Sequence, residues 1–282
     1  MPLKYTLKRI LSDEHVETAT SVAFSPDGLI LATGSSSGRV AIWSVEEGQV
    51  MDAFVGRSAV TALKWVQGPT KSKASQGIIF VGWQFGDMAI IPFKSTRAMK
   101  LATGGGDGIK TWSLSDESKL KALRTMSMPE STAANAGKPC RVASIHWMDN
   151  SERLVATFID HGIIVYDAST SQIIQVVHVP TMIGSGSLSP DNQSVVVHNL
   201  ANGFDSYELQ TGKLLKEYRH QSCEYGLERL PCPSLHVHQG STILGGTPSG
   251  LSCLWDAGDG SLITTLEHSS GTVQAMAVRS LL

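Results

Sequence analysis

The chain has 282 residues, 41% apolar and 17% charged, with 23 Lys and Arg against 25 Asp and Glu for a formal charge of −2. No like-charge run reaches five residues, which argues against nucleic acid as the main partner, because phosphate binding needs clustered Lys and Arg. No apolar stretch approaches the roughly 18 residues of a membrane span, and residues 1–10 lack an apolar core of signal-peptide length.

The first clear element is a strand at Ser21–Phe24, where polar and apolar residues alternate. Ser25–Pro26–Asp27–Gly28 predicts a turn, since Pro fixes φ and Gly accepts a positive one. Leu29–Ala32 is a second, apolar strand. Gly34–Gly38 turns again, and Arg39–Trp43 is a third strand. Glu46–Gly48 turns, and Gln49–Val55 completes a unit of four strands. Four strands joined by three turns form one propeller blade.

The unit returns along the chain. Arg141–Trp147, Leu154–Phe158, Ile163–Tyr166 and Gln172–Val179 repeat it, with Met148–Asp149–Asn150 in place of the Ser-Pro-Asp turn. Residues 182–220 repeat it with Ser189–Pro190–Asp191–Asn192 at the first turn. Residues 235–268 repeat it with Trp255–Asp256 closing the third strand. The third-strand aromatics Tyr166, Tyr207 and Trp255 are separated by 41 and 48 residues.

This pattern resembles the WD-repeat family, whose blade spans about 40–45 residues with Trp-Asp at that position. The resemblance covers nearly the whole chain and implies an all-β propeller, read as one domain over residues 1–282. It further implies that Trp43, Thr103, Asp107, Trp112, Trp255 and Asp256 are structural blade residues, in which a second-strand Thr, a turn Asp and a third-strand Trp bond within a blade. Thr157 and Asp160 match that set in another blade, with Tyr166 replacing Trp.

The repeat is interrupted once. Gly86–Ile91 aligns with Gly38–Trp43, yet Lys100–Gly104 is again a second strand and Lys110–Trp112 again a third. Half a repeat is missing at an irregular junction near 93–100, which is too short for a fourth and a first strand at roughly 3.3 Å per residue. At the other end, Thr272–Val278 reads as a first strand, and the resemblance implies that Tyr5–Leu11 is the closing strand of a split blade. The expectation is nominally seven blades with two or three incomplete, closing as six or as an imperfect seven. Missing strands leave open edges, which invite self-association.

Catalytic and metal motifs are weak. Gly104–Gly108 lacks the Lys-Ser/Thr of a phosphate loop and suits a hairpin turn. Gly184–Ser187 sits in a first-strand slot and suits a bulge. His220, Cys223, Cys232, His236 and His238 share a stretch, but without the paired spacing of a zinc site. Together with Cys140 and Cys253, the cysteines show no CxxC pair, the usage of a reduced cytoplasmic or nuclear compartment. No catalytic residue, metal site or cofactor is expected.

The turn Trp83–Gln84–Phe85–Gly86 places two aromatics at a rim, and aromatics there suit an interface anchor or packing against a neighbouring blade. Trp83, Phe85, Arg57 and His161 are the candidate binding residues. Gln67–Gly77 and Ser127–Pro139 are insertions beyond the repeat. The resemblance implies a non-catalytic scaffold or adaptor with other proteins as partners. The alternatives are a propeller enzyme or ligand-binding protein with a site in the central channel, for which His146 is the one first-strand candidate, and a shortened, non-functional product of a longer gene.

Overall fold

The computed structural model describes residues 5–12, 18–67, 77–92, 99–105, 108–115, 119–219, 230–268 and 271–278. Among them are 22 strands in six antiparallel sheets, each a meander of sequential neighbours. The fold is an all-β propeller with six blades, within the range the repeat allowed.

The chain forms two compact units. One comprises Met1–Ala98, Leu114–Lys119 and Gln274–Leu282; the other comprises Met99–Ser113 and Leu120–Val273. In the first, blade 1 has β1 (Ala19–Phe24), β2 (Ile30–Ser35), β3 (Arg39–Ser44) and β4 (Val50–Val55). Blade 2 has β5 (Val60–Gln67), β6 (Gly77–Trp83) and β7 (Met88–Pro92). In the second, blade 3 has β8 (Met99–Gly105), β9 (Gly108–Leu114) and β10 (Leu120–Thr125). Blade 4 has β11 (Val142–Met148), β12 (Arg153–Phe158), β13 (Gly162–Asp167) and β14 (Ile173–Val177). Blade 5 has β15 (Ser185–Leu188), β16 (Ser194–His198), β17 (Phe204–Glu208) and β18 (Leu214–Tyr218). Blade 6 has β19 (Ser234–Val237), β20 (Thr242–Gly246), β21 (Leu251–Asp256) and β22 (Leu262–Glu267).

Blades 2 and 3 have three strands each. The missing half repeat therefore costs blade 2 its fourth strand and blade 3 its first, among the described residues. Residues 93–98 of the junction lie outside them. The split blade is corrected: residues 5–12 and 272–278 carry no strand, and Leu7 and Ile10 are 81% and 76% exposed. A two-stranded ribbon without its second and third strands has no sheet to pack on and is marginal in water.

The turns show why the repeat folds. In blade 1, Ser25 Oγ donates to Asp27 at 2.6 Å, Asp27 accepts the Leu29 N–H, and Ser25 Oγ accepts the Ile30 N–H. Blade 5 repeats this with Ser189, Asp191, Gln193 and Ser194. The Ser189 hydroxyl, ahead of the Gln193 amide, holds the Asp191 carboxyl below its ordinary value. Blades 4 and 6 use a left-handed turn instead, with φ of 50°, 52° and 73° at Asp149, Asn150 and Ser151 and of 49°, 57° and 91° at His238, Gln239 and Gly240.

The turn after the third strand is the same in four blades. The N–H groups of Ser44, Asp167, Glu208 and Asp256 bond the carbonyls of Gln49, Gln172, Lys213 and Ser261. Each turn closes on a left-handed residue: Gly48, Ser171, Gly212 and Gly260, with φ of 75°, 67°, 72° and 81°. Glycine enters that region without steric cost, and Ser171 is the exception.

Each core lies between two blades. Ala23, Ala32, Val40 and Ile42 of blade 1 meet Val60, Leu63, Trp65, Ile79, Val81 and Trp83 of blade 2. In the second unit, separate clusters join blades 3 and 4, 4 and 5, and 5 and 6. Inner strands are also tied by polar side chains. Thr20 Oγ1 donates to the Val60 carbonyl at 2.5 Å, His146 Nε2 to the Gly186 carbonyl at 3.0 Å, and Ser185 Oγ to the Cys232 carbonyl at 2.7 Å.

Candidate interaction surface

The Trp83–Gly86 turn divides its two aromatics. Trp83, the last residue of β6, is 8% exposed. Its Nε1 donates to the Gly38 carbonyl at 3.1 Å, and its ring meets Phe54 edge-on at 6.4 Å. Gly56 lies against the indole so closely that a Cβ there would stand 2.2 Å from Nε1. Trp83 packs against the neighbouring blade, and its side chain is withdrawn from solvent.

Phe85, two residues on, is 76% exposed. Its N–H donates to Ser58 Oγ at 3.2 Å and the Gln84 N–H to the Ala59 carbonyl at 2.9 Å, so the turn is docked on the link between β4 and β5. That link carries Arg57, which is exposed. Val55 beside it is 69% exposed. Phe85, Val55 and Arg57 are thus exposed side chains on or beside one corner of the first unit, where hydrogen bonds hold the backbone of the turn to the link. Val55 was missed from sequence because an outer strand of alternating residues does not reveal which face lacks a cover.

His161 lies in the second unit and is not part of this corner. It is 7% exposed, with Nε2 3.4 Å from Cys140 Sγ and its ring 6.3 Å from Phe158. The expectation of a solvent-facing loop histidine is corrected: Cys140, which follows the Ser127–Pro139 insertion, lies against it. Its neighbour Asp160, 3% exposed at the side chain, is paired with Lys138 at 3.0 Å and Arg141 at 3.5 Å.

In two blades a third-strand Trp bonds a second-strand Thr. Trp43 Nε1 donates to Thr33 Oγ1 and Trp112 Nε1 to Thr103 Oγ1, both at 2.9 Å. Asp107 lies outside the described residues. In blade 4 the match fails. Leu154 pairs with Tyr166 and Ala156 with Ile164, so Ala156 holds the place that Thr33 has opposite Ala41 in blade 1. Thr157 sits one residue further on and bonds Ser144 Oγ at 2.8 Å. In blade 6 that place is Gly245, and Trp255 Nε1 turns to the Arg219 carbonyl at 3.2 Å. Asp256 caps its turn by accepting the Gly258 and Asp259 N–H groups.

The inner strands of the second unit hold two histidines, His146 and His236. His146 bonds the Gly186 carbonyl, and His236 Nδ1 lies 3.3 Å from Ser187 Oγ. Burial, opposed by the nearby Asp191 carboxylate, brings His236 down to about 4. A cavity of about 420 Å³ lined by Asp191, Lys216, Tyr218 and His236 opens between blades 5 and 6. No cluster of three or more His, Cys, Asp or Glu able to hold a metal occurs among the described residues. No helix of the described residues is long and apolar enough to cross a membrane.

Comparison with known proteins agrees with this geometry. Residues 5–68 match the family described as the anaphase-promoting complex subunit 4 WD40 domain. Over 157 residues the chain is 23% identical to the small ribosomal subunit protein RACK1 of Caenorhabditis elegans, covering 55% of this chain and 38% of that protein. The match thus spans well under half of the relative's length. With the four-strand repeat, the Trp-to-Thr bonds and the six blade sheets, these matches show a chain with the WD-repeat type of β-propeller fold, similar to proteins of that family over part of its length.

Proposed function

We propose that the chain is a non-catalytic scaffold or adaptor that binds a partner protein through the Phe85, Arg57 and Val55 corner. The observation that carries this reading is the pairing of Phe85, 76% exposed, with a turn that Trp83 anchors from beneath. A turn whose backbone is held by hydrogen bonds loses little backbone entropy on binding, and aromatic and Arg side chains dominate interface energetics. Trp83 serves as the support of this anchor, and His161 as a support of the blade 4 insertion.

Two further observations favour binding over catalysis. The inner-strand polar groups Thr20, His146, Ser185 and Ser187 are engaged in bonds between blades. The relative is named for a ribosomal subunit, and the matching family for the anaphase-promoting complex. The near-neutral charge favours protein partners over nucleic acid or lipid, and the cysteine usage favours the cytosol or nucleus. Affinity capture tests the site. Phe85→Ala and Arg57→Ala should each reduce recovery of the dominant partner at least tenfold. Recovery equal to that of the unaltered chain would remove this corner from consideration.

A further inference from the structure

We propose that the open edge of β7 takes a single extended segment of a partner chain, which completes blade 2 as its fourth strand. The inference deepens the scaffold reading and rests on it, but it concerns a backbone edge rather than the Phe85 side chain.

The register defines what the edge offers. Trp83 N–H bonds the Asp87 carbonyl, and β6 pairs Val81 with Ala89 and Ile79 with Ile91. Alternate residues of an antiparallel strand bond to opposite sides. Asp87, Ala89 and Ile91 therefore bond β6, and the amides of Met88 and Ile90 point the other way, where no described strand pairs with β7. Pro92 has no N–H and ends the edge. Blade 1 shows the filled counterpart. The Gly56 N–H bonds the Gly38 carbonyl, and Val40 and Ile42 face Phe54 and Asp52 of β4. An unpaired edge of this kind is a template for another strand.

The walls select the occupant. Blade 1 packs its Val40 and Ile42 face on the Ala89 and Ile91 face of blade 2, with Phe54 of β4 against that core. Blade 1 is thus one strand wider than blade 2, and β4 flanks the vacant position. The slot is one strand wide. It admits an extended peptide, but a second copy would bring its own blade 1 onto β4. A residue opposite Ala89 points at β4, where Asp52 is exposed. The residue opposite Met88 has Phe54 and Leu266 as its counterparts in blades 1 and 6, and the one opposite Ile90 has Asp52 and Thr264. The fitting segment is therefore apolar opposite Met88, Lys or Arg opposite Ala89, and polar opposite Ile90.

Amide hydrogen exchange on the full chain tests the edge, with the blocked hexapeptide Val-Met-Thr-Lys-Phe-Val as the probe. In the free chain the Met88 and Ile90 amides should exchange at least 100-fold faster than those of Val40 and Ile42. The peptide should bind saturably and slow Met88 and Ile90. Ile90→Pro, which removes an outward N–H and no bond within the blade, should weaken it at least tenfold, with the circular dichroism spectrum retained. Replacing the peptide Lys by Glu should weaken it too. Concentration-independent protection of both amides in the free chain would mean that its own residues cover the edge. Protection that rises with protein concentration would mean a second copy. Either result, absence of peptide binding, or binding untouched by Ile90→Pro overturns the proposal. Phe85→Ala should leave peptide binding unchanged, so failure here is distinguishable from failure of the Phe85 corner.

Discussion

The indole of Trp83 donates to the carbonyl of Gly38 at 3.1 Å, so the second strand of blade 2 ends against the second-to-third-strand turn of blade 1. Gly56 makes this approach possible, since any Cβ there would overlap the ring. Gly56→Ala should lower stability by about 1–3 kcal/mol, the usual cost of overpacking a filled site. Phe85→Ala, on the same turn but exposed, should change it by less than about 0.5 kcal/mol. Thermal unfolding of both variants checks the contrast. Equal losses would show that Phe85 is also packed.

The Trp43–Thr33 bond is a second test of blade architecture. Trp43 is 5% exposed, so Thr33→Val leaves its N–H without its acceptor and out of reach of water. The cost should be about 1–3 kcal/mol. Trp112 is only half-buried, and water can replace Thr103 there. Thr103→Val should cost less than Thr33→Val in urea unfolding. The reverse order would contradict the burial argument.

Ser171 occupies, at φ 67°, a position that is glycine in three sister turns. Ser171→Gly should raise stability by roughly 0.5–1 kcal/mol, because relief of the left-handed strain outweighs the added freedom of the unfolded chain. A lower melting temperature in scanning calorimetry would refute this.

Acid should weaken the second unit. His198 Nδ1 accepts the Cys232 N–H at 3.2 Å, and burial brings this imidazole down to about 4. His236 stands at about 4 as well. In the unfolded chain both titrate near 6.5. Between pH 6.5 and 4 the unfolded state binds more protons, so stability is full above about 6.5 and falls as pH drops toward 4. His198→Gln, which can keep an acceptor, should flatten that slope in a series of melts at different pH. An unchanged slope would clear His198 of responsibility.

The blade repeat was legible because each turn needs particular residues. Ser25 and Asp27 bond locally, Gly48, Gly212 and Gly260 take left-handed φ, and Trp43 reaches Thr33 within one blade. The half-repeat loss at the junction was legible from spacing alone and reappears as three-stranded blades 2 and 3. The site was less legible. Trp83 and Phe85 are adjacent aromatics in one turn, and only the neighbouring blade decides which is covered. His161 resembled a loop histidine because its neighbour Cys140 follows an insertion, Ser127–Pro139, with no counterpart in the repeat. The Tyr5–Leu11 strand failed for a related reason: the resemblance implies a closing strand there, but pairing needs an edge with a sheet behind it.

Phe85 is proposed to contact a protein partner directly. A photo-crosslinking amino acid at position 85, in the full chain within cells, tests it most directly, with the same residue at exposed Leu123 of the second unit as control. Direct contact should give one dominant protein adduct at position 85, absent at position 123 and lost when Arg57→Ala is added. No adduct at position 85, or the same adducts at both positions, would contradict it.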